Sequence, residues 1–259
     1  MSKGIKLGKD KIIFGNKTYE SPQERQNRLT LENFLRKCPI PKGQLLSNIG
    51  LFLESKTLAR ILFMHFIYQK ILDVQGVIME FGTRWGQNLA LFSALRGIYE
   101  PFNRHRKLVG FDTFAGFPSV SKKDNVWKKG HLKVTTNYEE YLSRILELHE
   151  LNNPLSHIKK FELRKGNATV EIKEYLKQAP ETIVALAYFD FDLYKPTKKC
   201  LEIIRPRLTK GSVIAFDELK SDEALLNRDL WWNVLKNLRA GIMPPEKKPR
   251  PSAEHKKIL

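Results

Sequence analysis

The sequence predicts an α/β fold: a parallel sheet with helices on both faces, preceded by an N-terminal helical extension. Three observations carry this. From Gly76 onward, short apolar runs alternate with longer stretches of helical spacing. The runs are apolar throughout rather than at every second residue, as in strands buried on both faces. Several of them end in glycine or acidic residues, the turn chemistry that closes a βα unit. Residues 1–75 are read as the extension, 76–220 as the core, and 221–259 as a C-terminal helix with a basic, proline-rich tail.

The elements follow in order. Ser21-Pro22 is an N-cap followed by proline in the first turn, a helix start, and that helix must end before Pro39 and Pro41. A second helix is expected over about Glu54–Val74, where Leu58, Ile61, Leu62, Phe66 and Ile71 recur at helical spacing. The predicted strands are VIMEF (77–81), KLVGF (107–111), KFEL (160–163), TIVALAYFDF (182–191) and SVIAFDE (212–218). Helices are expected near 86–98, 138–150, 168–178 and 195–206. Beyond Leu219 one more helix would carry Trp231 and Trp232.

Composition narrows the function classes. The 259 residues are 42% hydrophobic and 28% charged, ordinary values for a globular protein. No apolar run reaches the roughly 20 residues of a membrane span, and the first residues lack the apolar centre of a signal peptide. Cys38 and Cys200 are read as reduced thiols, so a cytoplasmic protein is expected. The net charge of +17 stands apart. It suits a solvated surface, an anionic small substrate or nucleic acid, but no basic-aromatic array favours the last.

In open parallel sheets ligands bind at the carboxyl ends of the strands, and the informative residues lie there. The first run enters EFGTRWGQN, where Gly82 and Gly86 flank a strand-to-helix turn. The second ends in GFDTFAGFP, placing Asp112 where a carboxylate grips the two hydroxyls of a ribose. Arg84 and Trp85 crowd the turn that a pyrophosphate would need, which favours S-adenosylmethionine (SAM) over a dinucleotide. Gly166-Asn167 opens a helix near the expected adenine edge, and an Asn helix cap is an equal reading. Asp190 and Asp192 would share one side of the fourth strand by its period of two, with Phe191 opposite. With Asp217 and Glu218 they form a cluster of carboxylates that suits a hard divalent ion, Mg²⁺ with Mn²⁺ or Ca²⁺ tolerated. The alternative is that these acids cap helices or pair with Lys195 and Lys198.

Together GVIMEFGTRWGQN, GFDTFAGFP, the KGNA turn, YFDFDLYKPT and GSVIAFDE resemble the macrocin/mycinamicin/novobiocin sugar O-methyltransferases, over roughly Leu58–Glu218. The resemblance implies a Rossmann-like class I SAM methyltransferase sheet and a SAM- and Mg²⁺-dependent O-methyltransferase. It implies that Glu80, Gly82, Thr83 and the turn through Asn88 hold the methionine part of SAM. Asp112 would bind the ribose, and Gly166 and Asn167 would lie near adenine. Asp192, Asp217 and Glu218 fall on metal-ligand positions, with Asp190 preceding them on the cofactor side. Asp192 is also the implied general base. The chain departs from the family in its Asp217-Glu218 pair, where two aspartates are usual, and in its GQN turn.

The expected acceptor is a hydroxyl of a small sugar-like or phosphorylated metabolite in natural-product or surface-glycan biosynthesis. The lysines of the 119–137 loop, Lys122, Lys123, Lys128 and Lys129, would attract an anionic handle. Two rivals are a metal-dependent glycosyltransferase built on the D-x-D and a basic nucleic-acid-binding protein of the same fold. Homo-oligomers are compatible with the sequence.

Overall fold

A computed structural model of the chain describes residues 21–120 and 127–217. The chain divides into two units, Met1–Glu218 and Leu219–Leu259. The expected helix around Trp231, the tail, Glu218, Lys122 and Lys123 all lie outside the described residues.

The extension begins with α1 (Pro22–Arg36), whose Ser21 and Glu24 form a reciprocal capping box. It continues through a short helical turn, α2 (Lys42–Leu45), and a 3₁₀ segment (Leu46–Phe52) into α3 (Ser55–Gln69). The core then alternates: β1 (Val77–Phe81), α4 (Gln87–Tyr99), β2 (Leu108–Asp112), α5 (Tyr138–Leu151) and β3 (Phe161–Lys165). After α6 (Ala168–Gln178) come β4 (Val184–Phe189), α7 (Tyr194–Ile204) and β5 (Leu208–Phe216). The five strands are all parallel, in the order β3-β2-β1-β4-β5. Right-handed crossovers place helices on both faces, with α3, α4 and α5 side by side on one and α6 and α7 on the other. The topology reverses between β1 and β4, which opens a crevice at their carboxyl ends.

Register fixes the floor of that crevice. Phe81 pairs with Phe111 and with Phe189, and Phe189 pairs with Phe216. Their rings stack in one row across four strands, with centroids 4.6–5.4 Å apart. The residue after each phenylalanine is therefore held at one level of the sheet edge. Those residues are Gly82, Asp112, Asp190 and Asp217.

Two expectations need correction. The second helix stops at Gln69, and its buried side is Met64, Ile67 and Tyr68, whereas Leu58, Leu62 and Phe66 are exposed. This helix is apolar nearly all round, so spacing alone picked the wrong stripe. The fourth strand ends at Phe189, before the acids, and Asp192 adopts a left-handed backbone with φ 54°. The alternation that put Asp190 and Asp192 on one side, with Phe191 opposite, lapses at that point.

The interior also holds charge that the sequence does not announce. Arg96 and Lys160, each side chain 2% exposed, share Glu150 at 5% exposed; Lys160 Nζ lies 2.8 Å from a Glu150 oxygen. Arg96 also donates to the carbonyls of Arg106 and Lys160 at 3.0 and 2.9 Å. Arg106, fully buried, donates to both Glu100 oxygens and to the carbonyls of Ile71 and Gly76. It thus ties the α3–β1 connection to the end of α4. Burial works against ionisation of Glu100, yet hydrogen bonds from Arg106, Tyr68 and Asn103 hold its carboxyl below the usual range.

Candidate active site

A cavity of about 640 Å³ opens at the carboxyl edge of the sheet, within the size range of small-molecule sites. The turn after β1 forms one wall. Gly82, at φ 97°, lies so close to β4 that an added Cβ would sit 2.0 Å from the Asp190 carbonyl oxygen. Only glycine meets both conditions. Trp85 turns onto α5, edge-to-face with Tyr138 at 4.8 Å, while the Tyr138 hydroxyl donates to the Trp85 carbonyl. The bulky side chain thus leaves the cavity open rather than filling it.

Asp112 lines the cavity beside this turn and accepts backbone N–H bonds from Arg84 (2.7 Å) and Phe114 (2.6 Å), one on each oxygen. Burial raises its pKa, and the amide bonds oppose the rise. Each carboxylate oxygen has lone pairs left for ribose hydroxyls. Gly166, Asn167, Ala168 and Thr169 line the cavity next to Asp112, whose carbonyl accepts from the Gly166 amide at 2.9 Å. Asn167 is also the cap of α6, its side chain accepting from the Thr169 amide at 3.0 Å. The helix-cap reading of that turn therefore holds, and the same residue lines the cavity.

Glu80 is fully buried beneath the wall and does not line the cavity. One oxygen accepts from Asn88 Nδ2 at 2.8 Å; the other, like the Thr83 hydroxyl, has no protein partner. Burial holds its pKa well above the usual carboxylate value. Asn88 and Thr83 line the cavity, so Asn88 links the Glu80 carboxyl group to it.

The acids of β4 and β5 face a cation that the sequence analysis overlooked. The Arg60 guanidinium, from α3, lies 3.0 Å from Asp190 Oδ2 and 3.1 Å from Asp217 Oδ1. Its Nε also donates to Asn88 Oδ1 at 3.3 Å. The Tyr188 hydroxyl donates to Asp217 as well. Burial works against the guanidinium charge, and the field of Asp217, Tyr188 and Asp190 more than offsets it. Burial, with repulsion from Asp217, pushes Asp190 up to about 7 despite Arg60. One signal for Arg60 was present. It sits four residues before Met64, on the stripe that continues through Ile67 and Tyr68 into the core.

Asp190, Phe191, Asp192 and Asp217 all line the cavity. Among the described residues neither Lys195 nor Lys198 forms an ion pair with Asp190 or Asp217, which share Arg60; Lys198 faces Glu202 at 4.0 Å. Among the described residues no three His, Cys, Asp or Glu side chains gather as a metal-binding group. Asp217 is engaged by Arg60 and Tyr188, and the third expected ligand, Glu218, lies outside the described residues. At the outer rim Phe117 and Trp127 meet edge-to-face at 5.3 Å, with His131 behind Trp127. Lys128 and Lys129 do not line the cavity.

A parallel five-stranded sheet in this order, with a glycine turn after β1 and an acid ending β2 around one cavity, defines a class I SAM-dependent methyltransferase. Comparison with solved structures agrees. The chain is similar to a crystal structure of CalS11, a calicheamicin methyltransferase, at 40% identity, with 91% of this chain and 92% of that one covered and a TM-score of 0.77. It is likewise similar to the apo structure of CalS11, described as a TDP-rhamnose 3′-O-methyltransferase of calicheamicin biosynthesis, at 38% identity, 91% and 94% coverage and a TM-score of 0.74. No protein-family model and no curated protein sequence matches the chain. The chain belongs to the sugar O-methyltransferase family and is a SAM-dependent O-methyltransferase. No helix among the described residues is long and apolar enough to cross a membrane.

Proposed function

We propose that the chain transfers the SAM methyl group to a hydroxyl of a sugar in natural-product biosynthesis. The observation that carries the reading is the cavity itself. Asp112, the glycine turn, the Asp190–Asp192 segment and Asp217 all line it, with Gly82 packed against the Asp190 backbone. SAM would place its ribose on Asp112 and its methionine end against Gly82, Thr83 and Asn88, with Gly166 and Asn167 near adenine. The hydrogen bond to Glu80 holds the Asn88 amide in place to meet the methionine end.

Displacement at the methyl carbon requires the acceptor oxygen to lie in line with the S–CH₃ bond. A sugar hydroxyl is a weak nucleophile until its proton is removed, and Asp192, at the mouth of α7, is the proposed acceptor of that proton. Its left-handed backbone, unusual for a residue with a side chain, fits a position held for function. Arg60 would keep Asp190 and Asp217 compensated beside it. A divalent cation on Asp192, Asp217 and Glu218 enters through the resemblance; bound there, it would acidify and orient the hydroxyl.

Asp112→Ala is expected to weaken SAM binding by at least about 1 kcal/mol, the scale of lost charge-assisted hydrogen bonds. Unchanged affinity in calorimetry would remove Asp112 from the ribose. Asp192→Asn is expected to lower turnover by about 10²-fold or more while SAM affinity is kept. A variant that turns over at the wild-type rate assigns the base elsewhere. Metal-stripped enzyme in EDTA should lose turnover and regain it with Mg²⁺. Full turnover in EDTA would dismiss the cation and leave Arg60 as the counter-charge.

A further inference from the structure

We infer that Lys195 and Lys199, on the first turns of α7, form an anion subsite for the diphosphate of a nucleoside-diphosphate sugar. Both residues line the cavity, and neither has a carboxylate partner among the described residues. They stand four apart on one helix, a spacing at which like charges repel. Their neighbour shows the ordinary alternative: Lys198, one position away, faces Glu202 in the same helix. Three of the four cavity acids are engaged elsewhere. Asp190 and Asp217 share Arg60, and Asp112 takes two backbone amides.

The buried face of α7, with Thr197, Cys200, Leu201 and Ile204, sits on the sheet and fixes which side looks into the cavity. Leu193, the N-cap, offers no side-chain cap. The positive end of the helix therefore adds to the same field. Two lysines match the two charges of a diphosphate. They begin one turn beyond Asp192, and α7 rises about 6 Å between them. A sugar joined directly to a diphosphate could thus present a ring hydroxyl near Asp192 while its phosphates lie along α7. The inference rests on the sugar-methylation reading and sharpens it: the acceptor is an activated sugar, methylated before the glycosyl transfer that must consume it.

The test uses full-length protein loaded with S-adenosylhomocysteine, so that the cofactor site is closed to competitors, and thymidine diphosphate as the probe. Calorimetry should detect the probe on wild type, more tightly at low salt than at high. K195Q/K199Q should weaken it at least about tenfold, as expected for two lost charge-assisted contacts. The same variant should raise KM for a thymidine-diphosphate sugar and leave KM for SAM unchanged. K195R/K199R should retain binding, and K198Q should behave as wild type. Retained S-adenosylhomocysteine binding by each variant reports an intact fold.

No measurable binding of the probe to wild type, or equal binding by K195Q/K199Q, overturns the subsite. If phosphate-free glycosides are methylated as well as nucleoside-diphosphate sugars, by wild type and variant alike, the subsite fails and sugar methylation stands. If neither sugar class is methylated, the functional reading itself fails.

Discussion

Glu150→Ala is expected to destabilise the protein by about 3–5 kcal/mol, the cost of stranding buried charge. The substitution leaves two cations, Arg96 and Lys160, with side chains only 2% exposed and no counter-ion. Arg96 would keep its bonds to the carbonyls of Arg106 and Lys160, and Lys160 those to Leu155 and Ile158. Those dipoles offset part of the charge but do not cancel it. Urea denaturation should show a lower midpoint at an unchanged slope. Lys177→Ala is the comparison. Its side chain is exposed and that of its partner Glu174 is about half exposed, and the loss should stay within about 0.5 kcal/mol. If both variants cost the same, the Glu150 cluster is solvated and the account of the α4–α5 side of the core is wrong.

Arg60→Met is expected to lower kcat/KM by about 10²-fold, or about 2.7 kcal/mol in the transition state. Without the guanidinium, Asp190 and Asp217 face each other uncompensated, and like carboxylates at that range drive protons onto one another. Asn88 would also lose its partner on the side away from Glu80. The larger effect should therefore fall on turnover, with a smaller one on SAM affinity. Global stability should change little, because Arg60 is about a third exposed and solvent screens the pair. Arg60→Lys should recover part of the rate by restoring the charge without the two-armed geometry. Wild-type turnover in Arg60→Met would show that the acids are compensated by something else.

Much of the fold was legible because periodicity and punctuation agreed. VIMEF and the stretch 168–178 became β1 and α6 over the same residues. The candidate site was legible where the chain repeats a two-letter pattern. Phe111-Asp112, Phe189-Asp190 and Phe216-Asp217 each end a strand, and in-register pairing of the phenylalanines brings the acids to one edge. Charge partnerships were not legible. Arg60 lies 130 residues from Asp190 and 157 from Asp217, and Arg96 lies 54 from Glu150. A lone arginine in a sequence reads as surface; only the topology shows that this one ends beside two acids. The strand boundary failed for a local reason. Asp190 and Asp192 continue an alternating pattern, but the chain has already turned toward α7 at Phe189.

The central claim is methyl transfer from SAM to a sugar oxygen. The most direct measurement is incubation of the enzyme with methyl-¹³C SAM and a panel of acceptors: nucleoside-diphosphate sugars, simple glycosides, catechols and an RNA. Products are then read by mass spectrometry and carbon-detected NMR. The account predicts one labelled methyl group per molecule, at an O–CH₃ shift on a sugar ring, and no label on catechol or RNA. Label on a catechol oxygen or an RNA base, with none on any sugar, would contradict it.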